Sequence, residues 1–192
     1  MGSDPLTLGF DTSAAHCAAA LLSGDRVLAV RTEAMARGQA ERLMPLLEEV
    51  LAEGGAHWRD LSRIGVGIGP GNFTGIRISV AAARGLALSL DISAIGINVF
   101  DVIRATGASG TPAVPAPRGM VHVLAPGVGP ALVPTADVAD AAGPPSPAET
   151  ARLIALLAQA APADAPPPAP LYARPADAAP ARDAPPVILD DA

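Results

Sequence analysis

The chain has 192 residues, half of them hydrophobic, and 19 acidic against 13 basic side chains give a formal net charge of -6. That length buries a real core, as one domain or two small lobes, while the acidic balance leaves no basic field for RNA or DNA, so nucleic acid is expected to be met only through a partner. All 13 lysine-or-arginine positions are arginine, which excludes a Walker A lysine and Schiff-base chemistry.

In chain order, Leu6–Phe10 reads as an apolar strand ending at Asp11-Thr12-Ser13. Cys17–Leu22 is a second strand, the turn Ser23-Gly24-Asp25 follows, and Arg26–Thr32 is a third, so the three form an antiparallel meander. Leu43, Leu46, Leu47, Val50 and Leu51 fall at i, i+3, i+4, i+7 and i+8, a helical stripe with Pro45 inside it and Gly54-Gly55 at its end. Ile64–Ile68 is a strand, residues 75–90 a helix, Ala94–Ile97 a short strand, and Phe100–Ala105 opens another helix. Beyond residue 106 the signal weakens. Met120–Leu124 and Ala131–Pro134 have strand character, and Ser146-Pro147-Ala148-Glu149 resembles a capping box before a helix over Ala151–Gln159. From Pro162 to Pro186, nine of 25 residues are proline, which predicts an extended or unstructured tail.

The order strand-strand-strand-helix-strand-helix-strand predicts a meander extended by right-handed crossovers into a mixed sheet. It describes one lobe of the ribonuclease H-like or actin/sugar-kinase architecture. The expected division is 5–105 for the N-terminal lobe, 106–160 for a reduced second lobe and 161–192 for a proline- and alanine-rich tail.

The densest local signal is Gly69-Pro70-Gly71-Asn72-Phe73-Thr74-Gly75-Ile76-Arg77, a tight turn between a strand and a helix. Two readings stand: a phosphate cradle built with Asp11, Thr12 and Ser13, or a rigid platform for another surface. In the first, Asp11, Thr12, Ser13, Gly69, Gly71, Asn72 and Thr74 are the nucleotide-proximal residues. His16 lies five positions after Asp11 and three after Ser13, but local spacing does not make a triad, and the plain reading is preferred. Cys17 reads as a buried small apolar residue. His57 and Trp58 fall in a helix-to-strand loop, where capping or packing is expected. His16, His57 and His122 have no ligand spacing, so no histidine-based metal site is expected. The single cysteine excludes an internal disulfide and suits a reducing cytoplasm; no apolar run reads as long enough for a membrane, and the N-terminus lacks a signal-peptide pattern.

Between Ile78 and Leu90 the helix carries one charge, Arg84, and small residues over most of its circumference. Such a helix is buried on more than one side, within its own domain or against a partner. The partner reading takes its face from Ile76, Arg77, Val80, Ala81, Ala83 and Arg84, with Met35, Leu43, Met44 and Leu47 of the first helix region beside it.

Three segments carry a family resemblance: Leu8-Gly9-Phe10-Asp11-Thr12-Ser13, Arg37-Gly38-Gln39-Ala40-Glu41-Arg42-Leu43-Met44-Pro45-Leu46, and Gly67 through Ile78. In this order they resemble the TsaB (YeaZ) family of the bacterial machinery that makes N6-threonylcarbamoyladenosine in tRNA, and Leu171-Tyr172-Ala173-Arg174-Pro175 resembles a short motif near that family's C-terminus. The resemblance implies an actin/sugar-kinase-like fold with a reduced second lobe. It implies a non-catalytic subunit that pairs through its two helices with a catalytic TsaD-type paralogue, and a small TsaE-type ATPase that engages the pair. The sequence departs from the family at Gln39, usually histidine, and at Asn72, usually serine. An acidic motif that usually opens the second lobe is replaced by Pro115-Ala116-Pro117-Arg118-Gly119-Met120-Val121-His122. Where the paralogue carries its histidine pair, this chain reads Asn98-Val99-Phe100-Asp101. No cofactor is therefore expected on this chain, apart from weak ATP or ADP at the subunit junction, and self-pairing is expected when the partner is absent. The competing reading is an autonomous sugar-kinase-like phosphotransferase or ATPase.

Overall fold

The computed structural model describes residues 4–125, 129–162 and 164–172. Strands β1 (Leu6–Asp11), β2 (His16–Ser23) and β3 (Arg26–Ala34) form the expected antiparallel meander. Helix α1 (Gln39–Glu53) returns the chain so that β4 (Leu61–Gly67) pairs parallel to β1. Helix α2 (Phe73–Leu90) leads in the same way to β5 (Ser93–Ile97), parallel to β4. The strand order is β3-β2-β1-β4-β5.

The two faces of this sheet differ in side-chain size, and the difference decides which helix lies where. On one face Leu8, Phe10, Ile64 and Val66 pack with Leu43, Leu46, Leu47 and Val50 of α1, all fully or almost fully buried. Burial of each such side chain contributes about 1.5–3 kcal/mol, so the leucine stripe is the main reason α1 forms and stays. The other face is lined by Gly9, Ala18, Ala20 and Gly65, and helix α4 (Pro147–Ala160) lies on it. A Cβ on Gly9 would stand 2.5 Å from the Ala151 carbonyl oxygen, and one on Gly65 2.7 Å from that of Ile154. These strand glycines therefore let a helix backbone approach closely. Arg63 fixes the helix end: its Nη1 donates to the carbonyls of Ala158, Gln159 and Ala161 at 2.9, 3.2 and 2.7 Å. A cation there complements both the unpaired carbonyls and the dipole of the helix C-terminus.

Placing α4 in the second lobe is thus corrected, because it completes the first sheet. Ser146 caps it as expected, its Oγ accepting from the Glu149 N–H at 3.3 Å. The second sheet has order β8-β7-β6-β9, from β6 (Thr111–Ala116), β7 (Met120–Ala125), β8 (Gly129–Pro134) and β9 (Ala141–Ala142). β7 and β8 match the weak strand signals, whereas β6, with Pro112 and Pro115, gave none. Its side away from β7 is paired only by the two residues of β9, which suits a strand short of N–H donors. Helix α3 (Val99–Ala105) joins the sheets through a cluster of Val99, Phe100, Ile103, Val114 and Ala142.

After α4 the chain wraps the β5 edge. Ala165 packs on the α4 face with Ile95 and Ile97, and Pro168 sits against Gly96 beside Ile68 on the opposite face. The Leu171 N–H then donates to the Ile68 carbonyl at 2.8 Å. The expected tail is therefore a packed strap over 164–172; the rest of that expectation falls on residues outside the described ones. Helix α2 also corrects the expectation that no run suits a membrane. Its 18 residues are long and apolar enough by length and composition, although Gly75, Ile76, Ser79, Val80 and Ala83 are buried within the chain.

Candidate functional site

The end of β1 and the glycine turn after β4 are brought together. Asp11 is 1% exposed. Its Oδ2 accepts from the Ser13 N–H at 3.1 Å and the Ser13 hydroxyl at 3.0 Å, and lies 2.8 Å from His16 Nε2. Ser13 and His16 thus share one carboxylate oxygen rather than forming a nucleophile–base pair, and no triad results. His16 is nonetheless tied to Asp11. The signal was the hairpin itself: β2 begins at His16, and the pairing of Asp11 with Ala18 brings the two strand ends side by side.

The glycine turn closes onto this strand end. The Thr12 hydroxyl donates to the Gly75 carbonyl at 2.7 Å, and the Asn72 N–H donates to the Ser13 carbonyl at 2.6 Å. The Asn72 side chain caps α2, its Oδ1 accepting from the Gly75 N–H at 2.8 Å. A Cβ on Gly67 would collide with Asp11 Oδ1, one on Gly71 with the Ser13 carbonyl, and one on Gly75 with the Thr12 carbonyl. Gly69, with φ of +92°, adopts a conformation that side chains other than glycine rarely take. Five of the seven nucleotide-proximal residues (Asp11, Thr12, Ser13, Gly71 and Asn72) belong to this contact, whereas Gly69 packs against Ile76 and the Leu171 carbonyl and Thr74 lies exposed on the first turn of α2. Gly71 and Gly75 are needed because the Ser13 and Thr12 carbonyls pack on them, and Gly67 because the Asp11 side chain does. Asp11 Oδ1 is buried with no hydrogen-bond partner among the described residues. In the same region Gln39 is buried and donates to the Met35 carbonyl at 3.3 Å and the Ala14 carbonyl at 3.5 Å.

The ten proposed interface residues separate into two sets. Leu43, Leu47, Ile76, Val80 and Ala83 are at most 4% exposed and belong to the chain's own core. Their assignment to an interface is corrected: a residue already packed inside has no surface to offer. Met44, Arg77, Ala81 and Arg84 are exposed and Met35 half-buried. Arg77, Ala81, Arg84 and Leu88 are spaced as one stripe along α2. Between the sets, the Ser79 hydroxyl is buried and donates to the carbonyls of Gly67 at 3.2 Å and Ile76 at 3.1 Å.

Arg77 is already engaged by its own chain. Its Nε donates to the Tyr172 hydroxyl at 2.8 Å and its guanidinium lies 4.0 Å over the Phe73 ring, while the two rings stand 4.9 Å apart. This clamp holds the strap to the start of α2. The sequence flagged Leu171-Tyr172 by resemblance but offered no sign of this contact.

Elsewhere the groups with chemistry are structural. Cys17 is fully buried, and burial, then the Glu33 carboxylate, pushes its thiol up to about 11, so it stays neutral and unreactive. Arg42 donates to Glu33 and Glu49, and Arg31 to Glu49 and Glu53, in a network joining α1 to β3. These bonds hold Glu33 and Glu49 below the ordinary carboxylate range, the Arg42 hydrogen bond being the largest cause for each. His57 is tied through its backbone, its N–H donating to Asp60 Oδ2 at 2.8 Å, and Trp58 packs on the core. Asn98 caps α3, accepting from the Asp101 N–H at 2.9 Å.

Residues 29–141 match the family model described as TsaD: tRNA N6-adenosine threonylcarbamoyltransferase. The protein from Escherichia coli K12 named tRNA threonylcarbamoyladenosine biosynthesis protein TsaB is 33% identical over 93 residues, 48% of this chain and 40% of that relative. Its namesake from Bacillus subtilis 168 is 36% identical over 100 residues, 52% of this chain and 44% of that relative. The chain thus matches less than half the length of these relatives. Among solved structures, YeaZ from Pseudomonas aeruginosa is 30% identical with a TM-score of 0.56, covering 67% of this chain and 64% of that one. A protein described as similar to peptidase YEAZ from Pseudomonas aeruginosa has a TM-score of 0.59 at 30% identity, covering 70% and 69%.

Proposed function

The chain belongs to the family of the TsaD model, tRNA N6-adenosine threonylcarbamoyltransferase, and within it to the TsaB (YeaZ) group, with the actin/sugar-kinase-like fold; from that membership we propose that it is an accessory, non-catalytic subunit of the complex that places a threonylcarbamoyl group on adenosine beside the tRNA anticodon. Its partner on this reading is a TsaD-type paralogue, and a TsaE-type ATPase engages the assembled pair. tRNA is met only through the partner, since the chain's own charge is -6.

One observation carries the reading: the glycine turn is filled by the chain's own Asp11–Ser13 backbone, while α2 turns an open stripe outward. A turn whose amides and space serve an internal contact is an elbow that aims a helix. The same arrangement weakens the phosphotransferase alternative, which needs room for phosphate at that place. A nucleotide, on this reading, binds weakly at the subunit junction and not in the turn. Without its partner the chain pairs with a second copy through the same stripe.

Co-purification tests the proposal. A TsaD-type paralogue is expected to be retained by the native chain and lost with Ala81→Glu or Met44→Glu, both at exposed positions, by about 100-fold in affinity if a charge is buried unpaired. Retention by both variants would remove the interface. Calorimetry with ATP and magnesium on the isolated chain is expected to show no micromolar binding with turnover; finding both would restore the phosphotransferase.

A further inference from the structure

Arg77 is held in a different way from the paired arginines of this chain. Arg31, Arg42, Arg104 and Arg152 meet carboxylates, and Arg63 meets helix carbonyls. Arg77 is fixed by uncharged groups. Its Nε donates to the Tyr172 hydroxyl at 2.8 Å, and its guanidinium lies 4.0 Å over the Phe73 ring and 5.7 Å over that of Tyr172. Neither contact neutralises the charge, and Nη1 and Nη2 make no hydrogen bond among the described residues. The side chain is nonetheless exposed. A guanidinium that is fixed, accessible and without a counter-charge is ready for an anion from outside, because the ordering a flexible arginine undergoes on binding has already taken place.

The setting narrows the choice of anion. The two charged residues of α2 are Arg77 and Arg84, so the exposed stripe carries no carboxylate of its own. A second copy pairing through the same stripe offers guanidinium groups in return and leaves the charge unmet. A nucleic-acid backbone is repelled by a chain of net charge -6. A carboxylate on another protein surface meets neither objection, and its two oxygens match the planar fork of the two free Nη groups. We propose that an aspartate or glutamate of the TsaD-type partner is held end-on by Nη1 and Nη2 of Arg77, with Tyr172 as the positioning residue that fixes the guanidinium for it. The strap is then part of the recognition surface, since the bond from the Leu171 N–H to the Ile68 carbonyl anchors it beside Tyr172. The inference rests on the partner reading and adds the charge that the partner presents.

Calorimetric titration of the full chain with the purified TsaD-type paralogue, at low and at high salt, tests it. Arg77→Gln is expected to weaken pairing about tenfold at low salt and to flatten the salt dependence. Arg77→Lys keeps the charge but not the fork and should recover only part of the loss. Tyr172→Phe is expected to weaken pairing about threefold, and that loss should disappear in the Arg77→Gln background. A tyrosine that only packs the strap would lower affinity equally in both backgrounds, which would remove its positioning role. Native affinity and native salt dependence for Arg77→Gln, with pairing still lost in Ala81→Glu, would overturn the inference and leave the partner reading standing. No pairing by the native chain would remove both. Unchanged pairing by Arg77→Gln with weaker retention of tRNA by the assembled pair would give the guanidinium to a phosphate and also overturn the inference.

Discussion

Asn72 shows how one side chain fixes the local geometry. It accepts the Gly75 N–H as the cap of α2, and its own N–H reaches back to Ser13. Removing the cap oxygen leaves a helix N–H without its partner, so Asn72→Ala is expected to cost about 1 kcal/mol. For a chain of this size that lowers the melting temperature by about 2–4 °C, read by thermal unfolding. Serine, the residue usual in the family, should restore most of the loss because its hydroxyl accepts the same bond. The Asp11 carboxylate illustrates the limit of reading residues singly. Its spacing to His16 and Ser13 suggested nothing reliable, yet all three converge because the β1–β2 hairpin folds them onto one oxygen.

Among the elements, the helices differ in what holds them. α1 rests on its leucine stripe, and the stripe was legible because periodicity alone places those side chains on one face. Its other side is joined to β3 by Arg42, Glu33 and Glu49. Glu33 and Glu49 are lowered below their reference value of 4.5. A depressed folded value means that their contribution is complete above the ordinary carboxylate range and is lost as pH falls through the folded values. Denaturant titrations between about pH 5 and pH 3 should therefore show a shallower acid loss for Glu49→Gln than for the native chain. The difference should shrink with added salt, because the pairs are exposed. α4 depends on small residues beneath it and on Arg63 at its end. Arg63→Ala strips three carbonyls of their donor and is expected to cost about 1.5–3 kcal/mol. Hydrogen exchange should rise first in 154–161, since those amides end the helix; uniform exchange across the chain would refute this local role.

Across the whole molecule, inside and outside are set by packing that no short window reveals. Ala81 and Ala83 look alike in sequence, both small and both in α2. Ala83 is fully buried in the core, whereas Ala81 is exposed. Ala83→Glu buries an unpaired charge and is expected to unfold or precipitate the chain. Ala81→Glu should keep the native melting temperature, and circular dichroism during heating separates the two. An interface mapped with buried positions would confuse loss of folding with loss of pairing. The same logic relocates α4. Its N-terminal cap was readable at Ser146–Glu149 although the helix starts earlier than expected, but its docking on β1, β2 and β4 joins residues about 90 to 140 positions apart. The strap behaves alike, since its prolines predicted extension and the fold supplied the β5 edge it wraps.

By itself the sequence determined the meander, the two crossovers, the Ser146 cap of α4 and the family, because these rest on near-neighbour sterics, period and turn chemistry. Only the tertiary structure decided what fills the glycine turn, which face of α2 is free and which sheet α4 serves. Each of those depends on distant backbone meeting at contact distance, as Thr12 meets Gly75 across 63 positions, and no local pattern encodes such a meeting.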